Sequence, residues 1–277
     1  MPVSAHRCAV GQAGLGTPAT QLMRAVRRQK KEIGKVIMTT VEQLIETINA
    51  ELEGQADPAY RELVRTRYNM NVDNFLGVRT PKIHKIAGKH YQLLKSKSID
   101  ERLELSGHLL ATRVYEHKIM AFRWAHLARK EYETKHLAVF RKWLDKYVDD
   151  WIDCDDLCIH VIGEYFLKYP ETANEVLGWT TSANFWVRRG AAVSLVLPVR
   201  KGEHIALVLQ VADLLLNDEE DLVRKGYGWL LKVASIKYPE KVFSYIMDRR
   251  EKMPRVALRY AIEKLPKKMQ RQVMDKK

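Results

Sequence analysis

The residues with most chemical potential lie in three segments of the second half of the chain. The first is Trp151-Ile-Asp-Cys-Asp155-Asp156-Leu, where an indole precedes a carboxylate by four residues at the start of an apolar helix. Taken alone, this pattern reads structurally: Asp155 or Asp156 caps the helix or favours its positive end, and Trp151 fills core. The second segment is Trp179-Thr-Thr-Ser-Ala-Asn184-Phe-Trp186-Val-Arg188-Arg189, and the third is Val223-Arg-Lys-Gly-Tyr-Gly228-Trp229. Asp155 and Arg189 are 34 residues apart, and Arg189 and Trp229 are 40 apart. If each interval is one unit of a helical repeat, an acid, a cation and an aromatic ring face the same side of neighbouring helices about 8–10 Å apart. A carboxylate flanked by aromatic faces suits a site where positive charge develops.

Other chemistries find little support. The chain carries no Walker loop, no GxGxxG after a strand, no HExxH and no GxSxG. Cys154, Cys158 and His160 lie close together, but zinc needs four ligands, or three and an open position, and no second Cys or His pair completes the set. No metal and no cofactor are therefore expected. Cys154 and Cys158, one helical turn apart, read as core, as do Trp179 and Trp186. Whether Arg188 or Arg189 faces inward stays open, because adjacent helix positions point about 100° apart. Lys225 and Arg224 either hold phosphates or are solvated. Arg255 and Arg259 either clamp a backbone or sit on a charged helix surface.

The elements that must position these groups are helices. Apolar residues recur at three- and four-residue steps, first at Leu44, Ile45, Ile48 and Leu52. The same pattern returns over 83–94, 101–111, 119–128, 137–148, 157–166, 185–196, 205–216, 222–234, 242–247 and 256–265. Short breaks with Pro (Pro81, Pro170, Pro198, Pro239), Asp/Asn or Gly separate them, and no alternating strand pattern or Asn-Gly hairpin appears. Lys168-Tyr-Pro-Glu recurs as Lys237-Tyr-Pro-Glu. Arg188-Arg-Gly-Ala-Ala and Arg224-Lys-Gly-Tyr-Gly-Trp lie about one repeat apart. Helix pairs with a period near 40 predict an all-α, HEAT-like repeat solenoid, whose stacked pairs present a concave surface.

The 277 residues hold 47 Lys and Arg against 34 Asp and Glu, a net charge of +13. Residues 1–37 contribute seven cations and one acid, so 38–277 keeps a charge of +7. A basic folded part attracts polyanions such as nucleic acid, acidic lipid or acidic protein. Residues 1–37 are Gly/Ala/Ser/Thr-rich and then basic, and read as a disordered extension ahead of a helical domain over 38–277. Met38-Thr-Thr-Val-Glu-Gln-Leu resembles a natural protein start, with Thr39 or Thr40 as a helix cap and Glu42 in the first turn. The longest weakly polar run, 190–199, is half the length a membrane span needs, and three cysteines cannot form a disulfide framework. The cytoplasm is the expected compartment.

Against this background the sequence resembles the DNA alkylation repair enzymes, the AlkD-like HEAT-repeat DNA glycosylases, from about Tyr68 to Leu265. Tyr68-Asn-Met-Asn-Val-Asp-Asn-Phe75-Leu-Gly77-Val is similar to the family's early Tyr and its Phe-Leu-Gly-Val/Ile turn. Trp151 and Asp155 match the first and last positions of its Trp-Asp-x-x-Asp motif, and Ile152 departs from the second. Trp186-Val-Arg-Arg189, Lys225-Gly-Tyr-Gly228-Trp229 and Arg259-Tyr-Ala-Ile-Glu263 follow the later blocks in order. The resemblance implies hydrolysis of the N-glycosidic bond of N3- or N7-alkylated purines in duplex DNA, as a nucleoid-associated monomer. It implies Asp155 as the catalytic carboxylate, Trp151 and Trp229 packed about the lesion's deoxyribose, Arg189 on the DNA backbone, and Tyr68 as a further contact. Arg188, Lys225 and Arg259 join them as candidate DNA-binding residues.

The physics suits that chemistry. An alkylated purine is cationic and already a good leaving group, and its departure leaves an oxocarbenium-like sugar. A fixed carboxylate stabilises that sugar and orients water, and no general acid is required. Two other readings remain: a catalytically silent HEAT-like DNA-binding protein, and a protein-binding scaffold with an apolar groove. Convergence of Asp155, Trp151 and Trp229 on an open basic groove favours the enzyme, and burial of Asp155 as a cap favours the silent protein.

Overall fold

The computed structural model describes residues 41–68 and 72–275, with Tyr68 placed by its backbone alone. The expected extension 1–37, its boundary at Met38 and the caps at Thr39 or Thr40 lie outside the described residues. Contacts divide the chain into two units, Met1–Thr47 and Ile48–Lys277. In the first, residues 41–47 are helical, and Thr47 Oγ1 donates to the Gln43 carbonyl at 2.8 Å. The second holds every other residue discussed below.

The second unit is all-α among its described residues, as the periodicity predicts. Its main helices are α1 (Pro58–Tyr68), α2 (Thr80–Leu93), α3 (Ile99–Ala111), α4 (Tyr115–Leu127), α5 (His136–Lys146), α6 (Trp151–Leu157), α7 (Gly163–Lys168), α8 (Val176–Trp179) and α9 (Phe185–Val193). The second half adds α10 (Val196–Lys201), α11 (Ile205–Leu214), α12 (Asp221–Lys237), α13 (Pro239–Arg249), α14 (Arg255–Ile262) and α15 (Lys267–Met274). Helices α1 and α15 fall outside the segments expected from the sequence, because both are predominantly polar with few apolar residues. Pro198 is not a break: it lies in the first turn of α10, where a missing N–H costs no helical bond.

Helices α2, α4, α6, α9, α12 and α14 pack side by side in chain order, one layer of the repeat. The intervening helices form the other layer: α3 packs on α4, α5 on α6 and α9, α11 and α13 on α12. Cys154, Leu157, Cys158, Val161, Ile162, Tyr165 and Phe166 are fully buried between the layers. Each large side chain among them contributes roughly 1.5–3 kcal/mol of transfer free energy.

The repeated Lys-Tyr-Pro-Glu has a repeated role. Lys168 Nζ donates to the carbonyls of Lys130 and Tyr132, both at 2.7 Å, and Tyr169 Oη donates to Tyr132 O at 2.7 Å. Two units further on, Lys237 Nζ reaches Lys201 O at 2.8 Å and Tyr238 Oη reaches Gly202 O at 2.6 Å. In both copies a Lys-Tyr pair at a helix end satisfies the orphan carbonyls of the previous unit, and the Pro opens the next helical turn.

The Phe-Leu-Gly-Val turn is anchored from a distance. The carboxylate of Glu116, buried in the first turn of α4, accepts the backbone N–H groups of Leu76, Gly77 and Val78 at 3.1, 2.9 and 3.0 Å. Gly77 holds φ +90°, and an added Cβ would stand 2.9 Å from Asp57 O, so glycine is required there.

Candidate active site

Helix α6 begins at Trp151 because Asp150, not Asp155 or Asp156, is its cap: Asp150 Oδ1 accepts the Ile152 N–H at 2.7 Å. This corrects the structural reading of the motif and releases Asp155 for other work. Lys118, buried on α4, donates to Asp149 at 2.5 Å and to Asp153 at 2.7 Å, which fixes the start of α6 against its neighbour. A π-helical turn, Cys158–Ile162, joins α6 to α7 in one continuous rod. Cys154 and Cys158 are buried with their sulfurs 4.0 Å apart and fill core, as their spacing suggested. Trp179 is core as well, against Phe166.

Helix α9 is capped by the Asn184 side chain, which accepts the Trp186 N–H at 2.9 Å. Its two arginines diverge. Arg188 turns away from the site: it donates to both carboxylate oxygens of Asp218 at 2.6 and 3.1 Å and to Ser182 O at 2.9 Å. Its donors are thereby engaged in a loop clamp. Arg189 points to Asp155, donating to Oδ1 at 2.7 Å from Nη2 and 3.2 Å from Nε, and to the Leu222 carbonyl at 2.5 Å from Nη1. The Arg189 side chain is 6% exposed. A guanidinium so buried and so engaged holds the carboxylate rather than reaching for a phosphate.

Helix α12 brings the third side. An added Cβ at Gly226 would stand 3.3 Å from Arg189 Cγ, so the glycine makes room for that side chain to lie across the helix. Lys225, Trp229 and Lys232 follow at helical spacing on one face. Trp151, Asp155, Arg189 and Trp229 line a single open cleft of about 470 Å³. Leu222, Lys225, Lys232 and Tyr260 complete its walls.

The electrostatics are those of a carboxylate in a cationic cleft. Asp155 is 18% exposed, and burial raises its pKa above the usual carboxylate value, with the Arg189 guanidinium opposing that rise. Both Arg189 bonds go to Oδ1, and Oδ2 accepts none from the described residues. Trp151 is 46% exposed, which excludes the core role for it. Lys232 donates to Glu263 at 2.7 Å at the rim. The adjoining Asp156 is half-buried, and burial pushes its carboxyl up to about 6, with Arg123 opposing.

The structure thus brings together Asp155, Trp151, Trp229, Arg189 and Lys225 from the sequence-derived set. Arg259 lies next door, exposed, in a cavity of about 540 Å³ that shares Tyr260 with the cleft. The Tyr68 side chain lies outside the described residues. Sequence reasoning missed Lys232 and Tyr260. Lys232 was legible as two helical turns beyond Lys225, and Tyr260 as the aromatic in the Arg259-Tyr-Ala-Ile-Glu263 block.

The sequence matches the family of DNA alkylation repair enzymes over residues 48–265. No curated protein matches it. Among solved structures, a protein from Enterococcus faecalis described as a predicted DNA alkylation repair enzyme superposes with a TM-score of 0.66 at 14% identity, covering 77% of this chain and 98% of its own. AlkD2 from Streptococcus mutans superposes with a TM-score of 0.54 at 18% identity, covering 75% of this chain and 98% of its own. At such identities the likeness speaks for the fold, an AlkD-type helical repeat. The family match spans most of the chain and every helix that lines the cleft, so this protein belongs to the DNA alkylation repair enzyme family.

Proposed function

We propose that the protein is a DNA glycosylase that hydrolyses the bond between deoxyribose and N3- or N7-alkylated purines in duplex DNA. The observation that carries this reading is the convergence of Asp155 with Trp151 and Trp229 on one open cleft among Arg189, Lys225 and Lys232. Duplex DNA binds through phosphate contacts from Lys225 and, beyond the cleft, Arg259. Arg189 acts on Asp155 and not on the backbone.

In the reaction the C1′–N9 bond breaks and its electron pair neutralises the positively charged purine. The sugar left behind is oxocarbenium-like. Asp155 faces that charge, and its Oδ2 is free to orient the water that adds to C1′, whose proton passes to Asp155 or to solvent. The faces of Trp151 and Trp229 each add roughly 0.5–2 kcal/mol of cation–π attraction. Arg189 fixes the carboxylate through Oδ1 so that it does not reorganise as charge develops. No step calls on a metal, a cofactor or a second titrating acid, because the leaving group departs neutral. The protein acts as a monomer on nucleoid DNA in the cytoplasm. Among its described residues no helix is long and apolar enough to cross a membrane.

The test is release of free 7-methylguanine from methylated duplex DNA, separated by chromatography. Release above the rate of the DNA alone supports the reading. Binding of the same duplex without release favours the catalytically silent protein instead.

A further inference from the structure

Tyr260 has no part in the chemistry above, yet it borders two cavities. It lines the Asp155 cleft and also the neighbouring one that holds Arg255 and Arg259. Helix α14 buries Ala257 and Ala261 completely and leaves Tyr260 38% exposed. Among the described residues the Tyr260 ring has no aromatic partner and its hydroxyl no hydrogen bond. A large aromatic side chain left open, unpaired and aimed at a cleft is an unusual use of a residue that could cover core.

The backbone is arranged to deliver it. An added Cβ at Gly228 would stand 2.8 Å from Ala257 O and 2.9 Å from Tyr260 Cβ. The Ala257 carbonyl is backbone and cannot swing aside, so glycine alone lets α14 close on α12 at this point. Gly228 immediately precedes Trp229. The close approach therefore places the root of the Tyr260 side chain beside the residue that carries the second indole.

We propose that Tyr260 is a third aromatic wall of the cleft, and that its ring face, not its hydroxyl, stabilises the sugar as it becomes cationic. The proposal rests on the glycosylase reading and deepens it: three helices of one layer, α6, α12 and α14, each supply one aromatic face around Asp155, while α9 between them supplies Arg189. A ring quadrupole attracts a cation whichever way the hydroxyl points, so phenylalanine serves as well as tyrosine. One such face corresponds to roughly 2- to 30-fold in rate.

The experiment compares wild type, Tyr260→Phe and Tyr260→Ala in single-turnover base release from methylated duplex, with the affinity for unmodified duplex and the melting temperature measured in parallel. The expected result is a loss of about ten-fold in Tyr260→Ala, release within two-fold of wild type in Tyr260→Phe, and unchanged affinity and melting temperature in both. Three results overturn it. Tyr260→Ala at the wild-type rate removes the wall. Tyr260→Phe as slow as Tyr260→Ala assigns the effect to the hydroxyl. An equal loss of affinity for unmodified duplex makes Tyr260 an ordinary DNA contact. If wild type releases no base, the glycosylase reading fails by itself, and the wall is then read from binding to duplexes carrying a cationic azasugar or a neutral abasic analogue. Preference of wild type for the cationic one, lost in Tyr260→Ala and kept in Tyr260→Phe, supports the wall, and equal binding overturns it.

Discussion

Replacing Arg189 by Ala separates a residue that holds the carboxylate from one that holds DNA. The side chain is 6% exposed, makes two bonds to Asp155 Oδ1 and one to the Leu222 carbonyl, and leaves Asp155 18% exposed. Opposite charges about 4 Å apart interact by roughly 4 kcal/mol at an effective dielectric of about 20. Removing one partner of a buried pair costs about 3–5 kcal/mol, because the other charge is left stranded. Asp155 keeps some contact with water, so the lower end applies, about 3 kcal/mol. In a chain of this size each kcal/mol moves the melting temperature by roughly 2–4 °C, so a fall of about 6–12 °C is expected. Affinity for unmodified duplex and its salt dependence stay as in wild type. The Asp155 carboxyl, already raised by burial, loses the cation that opposes the rise. It binds a proton more readily, and the acid limb of base release moves to higher pH. Thermal unfolding, together with anisotropy titrations of a labelled duplex at several salt concentrations, checks all of this. A melting temperature within about 2 °C of wild type, with a salt slope lower by about one counterion, would refute the reasoning and make Arg189 a phosphate ligand.

Other outcomes follow from the same geometry. Lys225→Ala and Arg259→Ala should each lower the salt slope of duplex binding by about one and weaken binding alike on all sequences, whereas Arg188→Ala should leave the slope alone and lower stability through its lost clamp on Asp218; titrations with and without added salt distinguish them. Asp156 titrates near 6 in the folded protein against about 4 when unfolded, so its ionisation opposes folding above pH 6 and has no effect below pH 4. Asp156→Asn should therefore stabilise by about 1–2 kcal/mol at pH 8 and by nothing at pH 4 in denaturant titrations, after discounting for partial exposure; destabilisation at pH 8 contradicts the burial argument. Glu116→Ala strands three backbone N–H groups and should cost about 3 kcal/mol or more, with amide exchange of Leu76, Gly77 and Val78 rising first; unchanged exchange there contradicts the anchoring.

The parts of this molecule that repeat were legible in the sequence, and the parts that depend on one distant partner were not. Lys168-Tyr-Pro and Lys237-Tyr-Pro announce the repeat because each copy makes the same bonds to the unit before it. Asp155, Arg189 and Trp229 could be aligned across units because their separations, 34 and 40 residues, are each about one period. The division of labour between Arg188 and Arg189 could not be read, since a 100° step on a helix decides it and the deciding partners, Asp218 and Asp155, lie about 30 residues away on opposite sides in sequence. The cap of α6 went to Asp150 because the helix starts at Trp151, one residue after the first acid that can serve. Glu116 looks like any first-turn acid, and its three donors, 38–40 residues upstream, have no local signature. Tyr260 was visible in a family block, but its exposure depends on the close approach of α14 at Gly228.

In the proposed reaction one carboxylate, set in an aromatic cleft and held by an arginine, stabilises a sugar that is becoming a cation. Single-turnover release of the base from a duplex with one 7-methylguanine, compared between wild type and Asp155→Asn with duplex affinity measured alongside, tests it most directly. The amide keeps an oxygen for Arg189 and loses only the charge. The expected result is a fall of roughly 100-fold or more in the release rate, with affinity within two-fold of wild type. Equal release rates in the two proteins would contradict it.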